Sequence, residues 1–119
     1  MAKIDVGIIG LGHMGLLHML NCFHVDDANV IAAADSSKKA LQKAGSLGIK
    51  NLYTDYKELI NKSKDLDAVI ISLPNFLHFD SIRLALEAGL NVFVEKPIAT
   101  TVDESREIVR MVDKAGRKF

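Results

Sequence analysis

The fold is decided by one stretch near the N-terminus, Ile4-Asp5-Val6-Gly7-Ile8-Ile9-Gly10-Leu11-Gly12-His13-Met14-Gly15. Its first half, Ile4–Ile9, is a short apolar run that predicts a strand. Its second half has glycine at the first, third and sixth positions, and apolar residues at helical spacing follow it. Gly10 permits a tight turn, and Gly15 lets the helix pack closely on the strand. The stretch therefore predicts a strand, a tight turn and a helix.

The turn Gly10–Gly15 also has the chemistry of a phosphate site. Gly12 has no Cβ, so the backbone can approach a pyrophosphate closely. The helix that follows presents free N–H groups and a partial positive charge to the phosphates. The intervening Leu11, His13 and Met14 belong to the same predicted site. An ordinary strand-to-helix turn is the alternative, but the position between a strand and a helix favours a dinucleotide-binding turn.

Asp35 follows the second predicted strand, Val30–Ala34, 20 positions after Gly15. That spacing matches the distance of about 20 residues expected for the acidic residue that binds an adenosine ribose. A carboxylate accepts a hydrogen bond from a 2′-hydroxyl and repels a 2′-phosphate, which predicts NAD as the cofactor. NADP remains an alternative because Ser36–Lys38 supplies two hydroxyls and a lysine. For Asp35 itself, the alternative role is a helix N-cap.

Further apolar runs rich in valine and isoleucine predict strands at Val30–Ala34, Ala68–Leu73 and Val92–Val94, with a short strand at Asn51–Tyr53. Such runs are typical of parallel strands covered on both faces. Five helices are predicted around these strands, with inward-facing residues Leu16, Leu17 and Leu20; Leu41, Ala44 and Leu47; Tyr56, Leu59 and Ile60; Ile82, Ala85 and Leu86; Ile108, Val109 and Val112. The alternation predicts an α/β fold, a doubly wound parallel sheet with right-handed crossovers.

The helix ends carry their own signals. Gly48 and Gly89 are placed to stop the second and fourth helices. Thr101 and Glu104 have the spacing of a capping box for the fifth helix, which we expect to end near Gly116. A sixth strand is expected where the sequence stops, so the sheet edge beside the fifth strand is predicted to be unfinished. Such an edge favours a homo-oligomer.

Composition limits the function classes. The 119 residues are 49% hydrophobic, with 15 acidic and 15 basic side chains, which predicts one globular domain, 1–119. The zero net charge gives no reason to expect nucleic acid or an anionic membrane as a partner. The single cysteine, Cys22, predicts a buried helix thiol, no internal disulfide and no metal site. With no signal-peptide pattern, we expect a cytoplasmic location.

Two further segments follow the fourth and fifth predicted strands, namely Ser72-Leu73-Pro74-Asn75-Phe76-Leu77-His78 and Glu95-Lys96-Pro97. Ligands of open α/β sheets bind at the carboxyl ends of the strands. With these segments, the glycine motif, His18 three residues beyond it and Asp35, the chain resembles the glucose-fructose oxidoreductase, inositol dehydrogenase and MocA (Gfo/Idh/MocA) family. The resemblance covers essentially the whole chain, and Glu-Lys-Pro is its most specific part.

The resemblance implies a Rossmann-type NAD(P)-binding domain with assigned site residues. Leu73, Pro74, Asn75 and His78 would line the cofactor cleft. In the tripeptide Glu95–Pro97, the glutamate would hold the nicotinamide-side ribose. Its lysine would be the catalytic residue between nicotinamide and substrate, and its proline would aim that lysine. An ammonium there can orient a substrate oxygen and stabilise the charge that develops on it.

Simpler interpretations stand beside these assignments. Glu95 and Lys96 have the pattern of a solvated loop pair, and His78 that of a surface histidine at a helix start. His18 is predicted to be structural rather than catalytic. The Lys96-Pro97 bond is cis or trans, and the sequence does not decide which.

The resemblance also implies a second domain, because the family's C-terminal α/β substrate domain is not in these 119 residues. The parent would be an NAD(P)-dependent oxidoreductase acting on a sugar, polyol or related hydroxyl or carbonyl compound. The 119 residues alone are then expected to be inactive, whether they are a truncated form, a natural single-domain protein or half of a pair. The alternative is a non-catalytic dinucleotide-binding module that acts as a sensor or assembly partner.

Overall fold

Strand and helix alternate from Ile4 to Ala115 in the computed structural model, which describes residues 3–119. The elements are β1 (Ile4–Ile9), α1 (His13–Cys22), β2 (Ala28–Ala34), α2 (Lys38–Ser46), β3 (Asn51–Tyr53), α3 (Tyr56–Lys62), β4 (Ala68–Ile71), a 3-10 turn (Asn75–Leu77), α4 (His78–Glu87), β5 (Asn91–Val94) and α5 (Val102–Ala115). The predicted strands are thus all present, although β4 ends two residues before Leu73.

The five strands form one parallel sheet in the order β3-β2-β1-β4-β5. From β1 the chain moves outward through β2 and β3, then returns to the other side of β1 for β4 and β5. This confirms the doubly wound α/β sheet. The reversal of direction opens a crevice at the carboxyl ends of β1 and β4, where ligands of such sheets bind.

Helices cover both faces of the sheet. Since side chains alternate along a strand, Ile8 and Ile9 of β1 point to opposite layers. Ile8 packs with Met19 of α1 and Leu41 of α2, whereas Ile9 belongs to the cluster that α3, α4 and α5 cover. Eight residues predicted to face inward are buried: Leu41, Ala44, Leu59, Ile60, Ile82, Ala85, Leu86 and Ile108. Three more are partly buried and pack against the core: Leu16, Tyr56 and Val112.

The predicted inner face of α1 is wrong at two of its three positions, since only Leu16 packs against the core. Leu17 and Leu20 are 43% and 38% exposed, and the residues of α1 that are buried are Gly15 and Met19. The reason is the close approach at Gly15, where an added Cβ would lie only 1.8 Å from the Gly10 carbonyl oxygen. The helix docks through its glycine, and this contact sets its rotation more strongly than the number of leucines does.

Two other inward predictions are wrong for simpler reasons. Leu47 is exposed because it is the C-cap residue beyond the last turn of α2. Val109 is exposed because Ile108, one position earlier on α5, takes the place at the core. The predicted helix stops at Gly48, Gly89 and Gly116 are confirmed by their positive φ angles of 103°, 80° and 66°.

The capping box of α5 is only half formed. The Thr101 hydroxyl accepts a hydrogen bond from the Glu104 N–H at 3.1 Å. The Glu104 carboxylate accepts from the N–H and hydroxyl of Thr100, not from Thr101. The helix start is therefore fixed, with the return bond displaced by one residue.

The outer edge of β5 is partly engaged by the end of the chain. The Val92 N–H donates to the Lys118 carbonyl at 2.9 Å, and the Lys118 N–H donates to the Asn91 side chain at 2.9 Å. Phe93, on the face shared with α1, is 55% exposed. None of the helices in the described part of the chain is long and apolar enough to cross a bilayer.

Candidate functional site

The carboxyl ends of the strands are joined by backbone hydrogen bonds into one surface. The Gly10 N–H donates to the Ala34 carbonyl at 2.8 Å, which ties the glycine turn to the end of β2. The Ser72 N–H donates to the Ile9 carbonyl at 2.8 Å, which ties the loop after β4 to the end of β1. The segments that the sequence analysis singled out therefore meet at the crevice.

The three motif glycines have two kinds of surroundings. Gly10 has a φ of 93°, and a Cβ there would lie 2.4 Å from the Ser72 carbonyl oxygen. Gly15 is equally closed by the Gly10 carbonyl. Gly12 has nothing within 4 Å of an added Cβ. Two glycines thus pack the turn, and the third opens toward free space.

The first turn of α1 faces that space with its backbone. Leu16 donates to the Gly12 carbonyl at 2.9 Å and is the first α1 residue in the helical bonding ladder. The amides of His13 and Met14 precede the ladder, as helix-terminal N–H groups do. Both side chains are exposed, whereas Leu11 is buried beneath the turn. The backbone is the part of this turn arranged to meet an anion.

Asp35 is half-buried and holds the glycine turn. Its Oδ2 accepts from the Leu11 N–H at 2.7 Å, and its Oδ1 accepts from the Ser37 N–H at 2.8 Å. The N-cap alternative for Asp35 is wrong, because the cap of α2 is Ser37, whose hydroxyl accepts from the Ala40 N–H. A carboxylate oxygen has two lone-pair positions, so each can still accept from a ligand hydroxyl.

A cleft of about 640 Å³ lies between the ends of β1, β2, β3 and β4. Its lining residues are Gly10, Gly12, Asp35, Ser36, Thr54, Asp55, Tyr56, Ser72, Leu73, Pro74 and Leu77. Sequence reasoning had not assigned Thr54, Asp55 or Tyr56 to the site. Their signal was available, because they directly follow β3 and the carboxyl-end rule applies to that strand too.

A hydrogen-bonded trio supports the Tyr56 wall of the cleft. The Tyr56 hydroxyl donates to Asp80 Oδ2 at 2.6 Å, and Arg83 donates to Asp80 Oδ1 at 2.7 Å. Burial, followed by the bond to Asp80, raises the pKa of Tyr56. The Tyr56 bond, together with the Arg83 guanidinium, lowers the pKa of Asp80. At neutral pH, Tyr56 is therefore a neutral donor and Asp80 is ionised.

The lowered pKa of Asp80 predicts that the stability of the fold depends on pH. A carboxyl whose pKa is lowered by folding stabilises the fold above its ordinary value of about 3.9, and that stabilisation is lost as the pH falls through the lowered pKa. We therefore expect Asp80→Asn to reduce the free energy of unfolding most above about pH 4. Urea unfolding between pH 6 and pH 3 measures it. Asp26→Asn, in the exposed turn after α1, is the control, and a pH-independent gap between wild type and Asp80→Asn would contradict the prediction.

The side-chain hydroxyl of Ser72, at the crevice, is buried without a hydrogen-bond partner among the described residues. A buried hydroxyl without a partner is costly in a folded protein. Ser72 lines the cleft, and an added Gly15 Cβ would lie 3.4 Å from the Ser72 Cβ. The open space at Gly12 and the amides of α1 together fit a phosphate-bearing ligand, and Ser72 lines the same cleft.

His78 joins the loops that follow β4 and β5. Its ring is fully buried, with Nδ1 2.6 Å from the Pro97 carbonyl oxygen and Nε2 2.9 Å from the Leu73 carbonyl oxygen. The surface-histidine alternative is therefore wrong. The ring lies behind the cleft, so it acts on the site through the two loops. Asn75, by contrast, is exposed in the 3-10 turn.

The tripeptide after β5 lies beside the first helix. Glu95 Oε1 is 2.6 Å from His18 Nε2, and both side chains are mostly buried. The solvated-pair alternative is wrong for Glu95, since its partner is His18. Lys96 is exposed, and the Lys96-Pro97 bond is cis. An exposed ammonium and a held carboxylate thus stand next to each other at the carboxyl end of β5.

Other candidate groups are outside this site. Cys22 is half-buried at the end of α1, not fully buried as predicted, and burial raises the pKa of its thiol. Within residues 3–119, no three histidine, cysteine, aspartate or glutamate side chains are grouped as metal ligands would be.

Residues 4–119 match the model of an oxidoreductase family described as having an NAD-binding Rossmann fold. The chain belongs to the Gfo/Idh/MocA family. The match covers all five strands and all five helices, so the resemblance inferred from the motifs is confirmed. The domain is the NAD-binding Rossmann domain of this oxidoreductase family.

Similar Gfo/Idh/MocA proteins are longer than this chain. Inositol 2-dehydrogenase of Klebsiella pneumoniae is 35% identical over 120 residues, which cover 98% of the chain and 35% of that relative. D-xylose 1-dehydrogenase (NADP(+)) 2 of Haloferax volcanii is 35% identical over 112 residues, which cover 92% of the chain and 34% of that relative. The chain spans about a third of the length of the curated relatives it matches.

A solved structure with bound ligands shows the same architecture. The scyllo-inositol dehydrogenase of Lactobacillus casei, with bound NAD(H) and scyllo-inositol, superimposes with a TM-score of 0.92 at 30% identity. The superposition covers 96% of this chain and 34% of that one.

Proposed function

We propose that residues 1–119 form one NAD-binding domain of a dehydrogenase. The observation that carries this proposal is the glycine turn, in which Gly10 and Gly15 are closed by backbone atoms and Gly12 opens onto free space. A turn built in this way at a helix N-terminus suits the pyrophosphate of a dinucleotide. The cleft beside it and the carboxylate of Asp35 suit an adenosine ribose.

The cofactor residues we propose fall into two groups on either side of this turn. The adenosine end is assigned to Asp35 and Ser36. The nicotinamide end is assigned to Leu73, Pro74, Asn75, Glu95, Lys96 and Pro97, with His78 acting through the Leu73 and Pro97 carbonyls. The turn itself, Gly10–Gly15, takes the phosphates.

When bound, the dinucleotide supplies the nicotinamide carbon that accepts or donates a hydride. For the chain's own part, we propose that the Lys96 ammonium donates a hydrogen bond to the oxygen of a sugar, polyol or related substrate. An ammonium in that position stabilises negative charge on the oxygen. The exposure of Lys96 at the carboxyl end of β5 supports this role, as does similarity to relatives named for polyol and sugar substrates.

We expect this chain to bind NAD at least about tenfold more tightly than NADP, a difference of roughly 1.4 kcal/mol. The physical reason is that the Asp35 carboxylate accepts from a ribose hydroxyl and repels a phosphate at the same place. NADP is the alternative cofactor, since one relative is named as an NADP(+) enzyme. Calorimetric titration of the chain with each dinucleotide measures the ratio.

Two variants, each of which removes one negative charge from the cleft, separate the effect of Asp35 from the effect of negative charge in the cleft as a whole. Asp35→Asn should reduce the preference for NAD. Asp55→Asn, at the other carboxylate of the cleft, is the control, and we expect it to leave the preference for NAD unchanged. The fold should be kept in this variant, because asparagine also caps a helix at that position. Equal or reversed affinity in the wild-type chain would contradict the role of Asp35.

We also expect an oligomeric state and a cellular location for the protein. A homo-oligomer through the β5 edge is supported by the exposed ring of Phe93, while the Val92 bond to Lys118 already uses part of that edge. A cytoplasmic location is supported by the single cysteine.

A further inference from the structure

His18 and Glu95 form a contact between α1 and the end of β5. They are 77 positions apart, yet His18 Nε2 and Glu95 Oε1 are separated by only 2.6 Å. The two side chains are 18% and 24% exposed. Because both side chains are shielded from solvent, this pair differs from an exposed ion pair, whose contribution to stability is commonly near zero.

The chemistry of the pair fixes the direction of the hydrogen bond. An ionised carboxylate only accepts, so the His18 Nε2 carries the hydrogen and donates it. Hydrogen bonds to an ionised acceptor are shorter and stronger than neutral ones. A free glutamate samples many rotamers, and this bond restricts Glu95 to those that reach α1.

The His18 ring is itself held in place. The Phe93 ring lies edge-on to it, with centroids 5.2 Å apart and planes at 69°. Phe93 and Glu95 are two positions apart and so lean to the same face of the sheet. Aromatic contacts of this type favour one ring orientation. The His18 Nε2 donor is therefore already oriented toward Glu95 before any ligand binds.

The pair connects the two halves of the site. His18 is on the helix whose N-terminus forms the glycine turn, and Glu95 is at the end of β5 beside Lys96. We propose that His18 is a positioning residue that fixes the Glu95 carboxylate so that it can accept from the nicotinamide-side ribose. This inference rests on the proposed binding of NAD and on the ribose role of Glu95. The bond to His18 uses Oε1, and a carboxylate keeps Oε2 and further lone pairs for a ligand hydroxyl.

The test compares two ligands that differ at the group in question. ADP-ribose carries the second ribose, whereas ADP ends at the pyrophosphate. In the 119-residue chain, His18→Phe keeps an aromatic ring beside Phe93 and removes the donor. We expect this variant to bind ADP-ribose and NAD about tenfold more weakly and ADP as tightly as wild type. His18→Gln, whose amide nitrogen can donate to Glu95, should restore most of the affinity for ADP-ribose.

A second histidine variant shows whether any replacement of a histidine affects binding. His24→Phe, at the exposed histidine after α1, should change neither affinity. An equal loss for ADP and ADP-ribose in His18→Phe, or a loss that His18→Gln does not repair, would overturn the positioning role and leave NAD binding intact. A wild-type chain that binds neither ligand would instead overturn the proposed function, and the inference with it.

Discussion

Replacing Gly15 with alanine is expected to lower the free energy of unfolding by roughly 3 kcal/mol or more, the upper end for overpacked sites. The added Cβ would lie 1.8 Å from the Gly10 carbonyl oxygen and 2.7 Å from its carbon. Both contacts are backbone atoms of the turn, so no side chain can rotate away. Either α1 must move off the sheet or the turn must change. In a thermal melt, we expect the midpoint to fall by about 10 °C or more.

Gly45→Ala is the matched control for this prediction. Gly45 is also inside a helix, but an added Cβ there would meet only the tip of the Leu52 side chain, at 3.2 Å. Alanine is favoured over glycine in a helix by up to about 1 kcal/mol, which offsets that contact. We expect its stability to stay close to wild type. A Gly15→Ala variant as stable as Gly45→Ala would mean that α1 does not dock on the turn as closely as the structure has it.

Gly12→Ser is expected to raise the dissociation constant for NAD about a hundredfold, roughly 2.8 kcal/mol, without loss of stability. Gly12 is the N-cap of α1 with φ −68° and ψ −164°, an extended conformation that serine adopts readily. A serine hydroxyl there can accept from the first amides of the helix and stabilise it by about a few tenths of a kcal/mol. The same side chain would fill the space proposed for the pyrophosphate.

In Gly12→Ser, we expect the affinity for NAD to fall while the free energy of unfolding does not. Calorimetry with NAD and a urea unfolding curve on the same preparation give both quantities. Gly45→Ala, away from the crevice, should bind NAD as wild type does. If Gly12→Ser bound NAD with unchanged affinity, the pyrophosphate would not approach this turn, and the proposed site would have to be placed elsewhere.

The strand positions and the helix stops were predictable because they depend on local chemistry. Short apolar runs rich in valine and isoleucine that alternate with helical segments are typical of buried parallel strands. A glycine after the last helical turn specifies a stop, since it adopts positive φ without a Cβ clash. Gly48 and Gly89 were therefore predicted correctly. The family could also be inferred from the sequence, because each of its motifs is a short segment of neighbouring residues.

The inner face of α1 was not predictable in the same way. Leu17 and Leu20 gave the usual apolar stripe, but the close approach at Gly15 rotated the helix so that Met19 is buried instead. A hydrophobic stripe contributes through area, whereas backbone contact between Gly10 and Gly15 is a steric condition that admits few arrangements. Which condition prevails depends on the docked geometry.

The partners of the polar side chains were likewise decided only by the tertiary structure. His78 had the pattern of a surface histidine, and the structure buries it between two loop carbonyls. Glu95 had the pattern of a solvated charge, and its partner is 77 positions away on α1. Side-chain hydrogen bonds over such separations leave no local trace, because they exist only after the sheet has brought the segments together.

By itself, the sequence determined a doubly wound dinucleotide-binding sheet with its motifs at the carboxyl ends of the strands. Local turn chemistry and the alternation of strand and helix leave little choice about that arrangement. Only the tertiary structure decided which side chains face the crevice, which brace it from behind, and that His18 meets Glu95. These outcomes depend on ångström-scale distances between segments remote in the chain, and no local pattern encodes such distances.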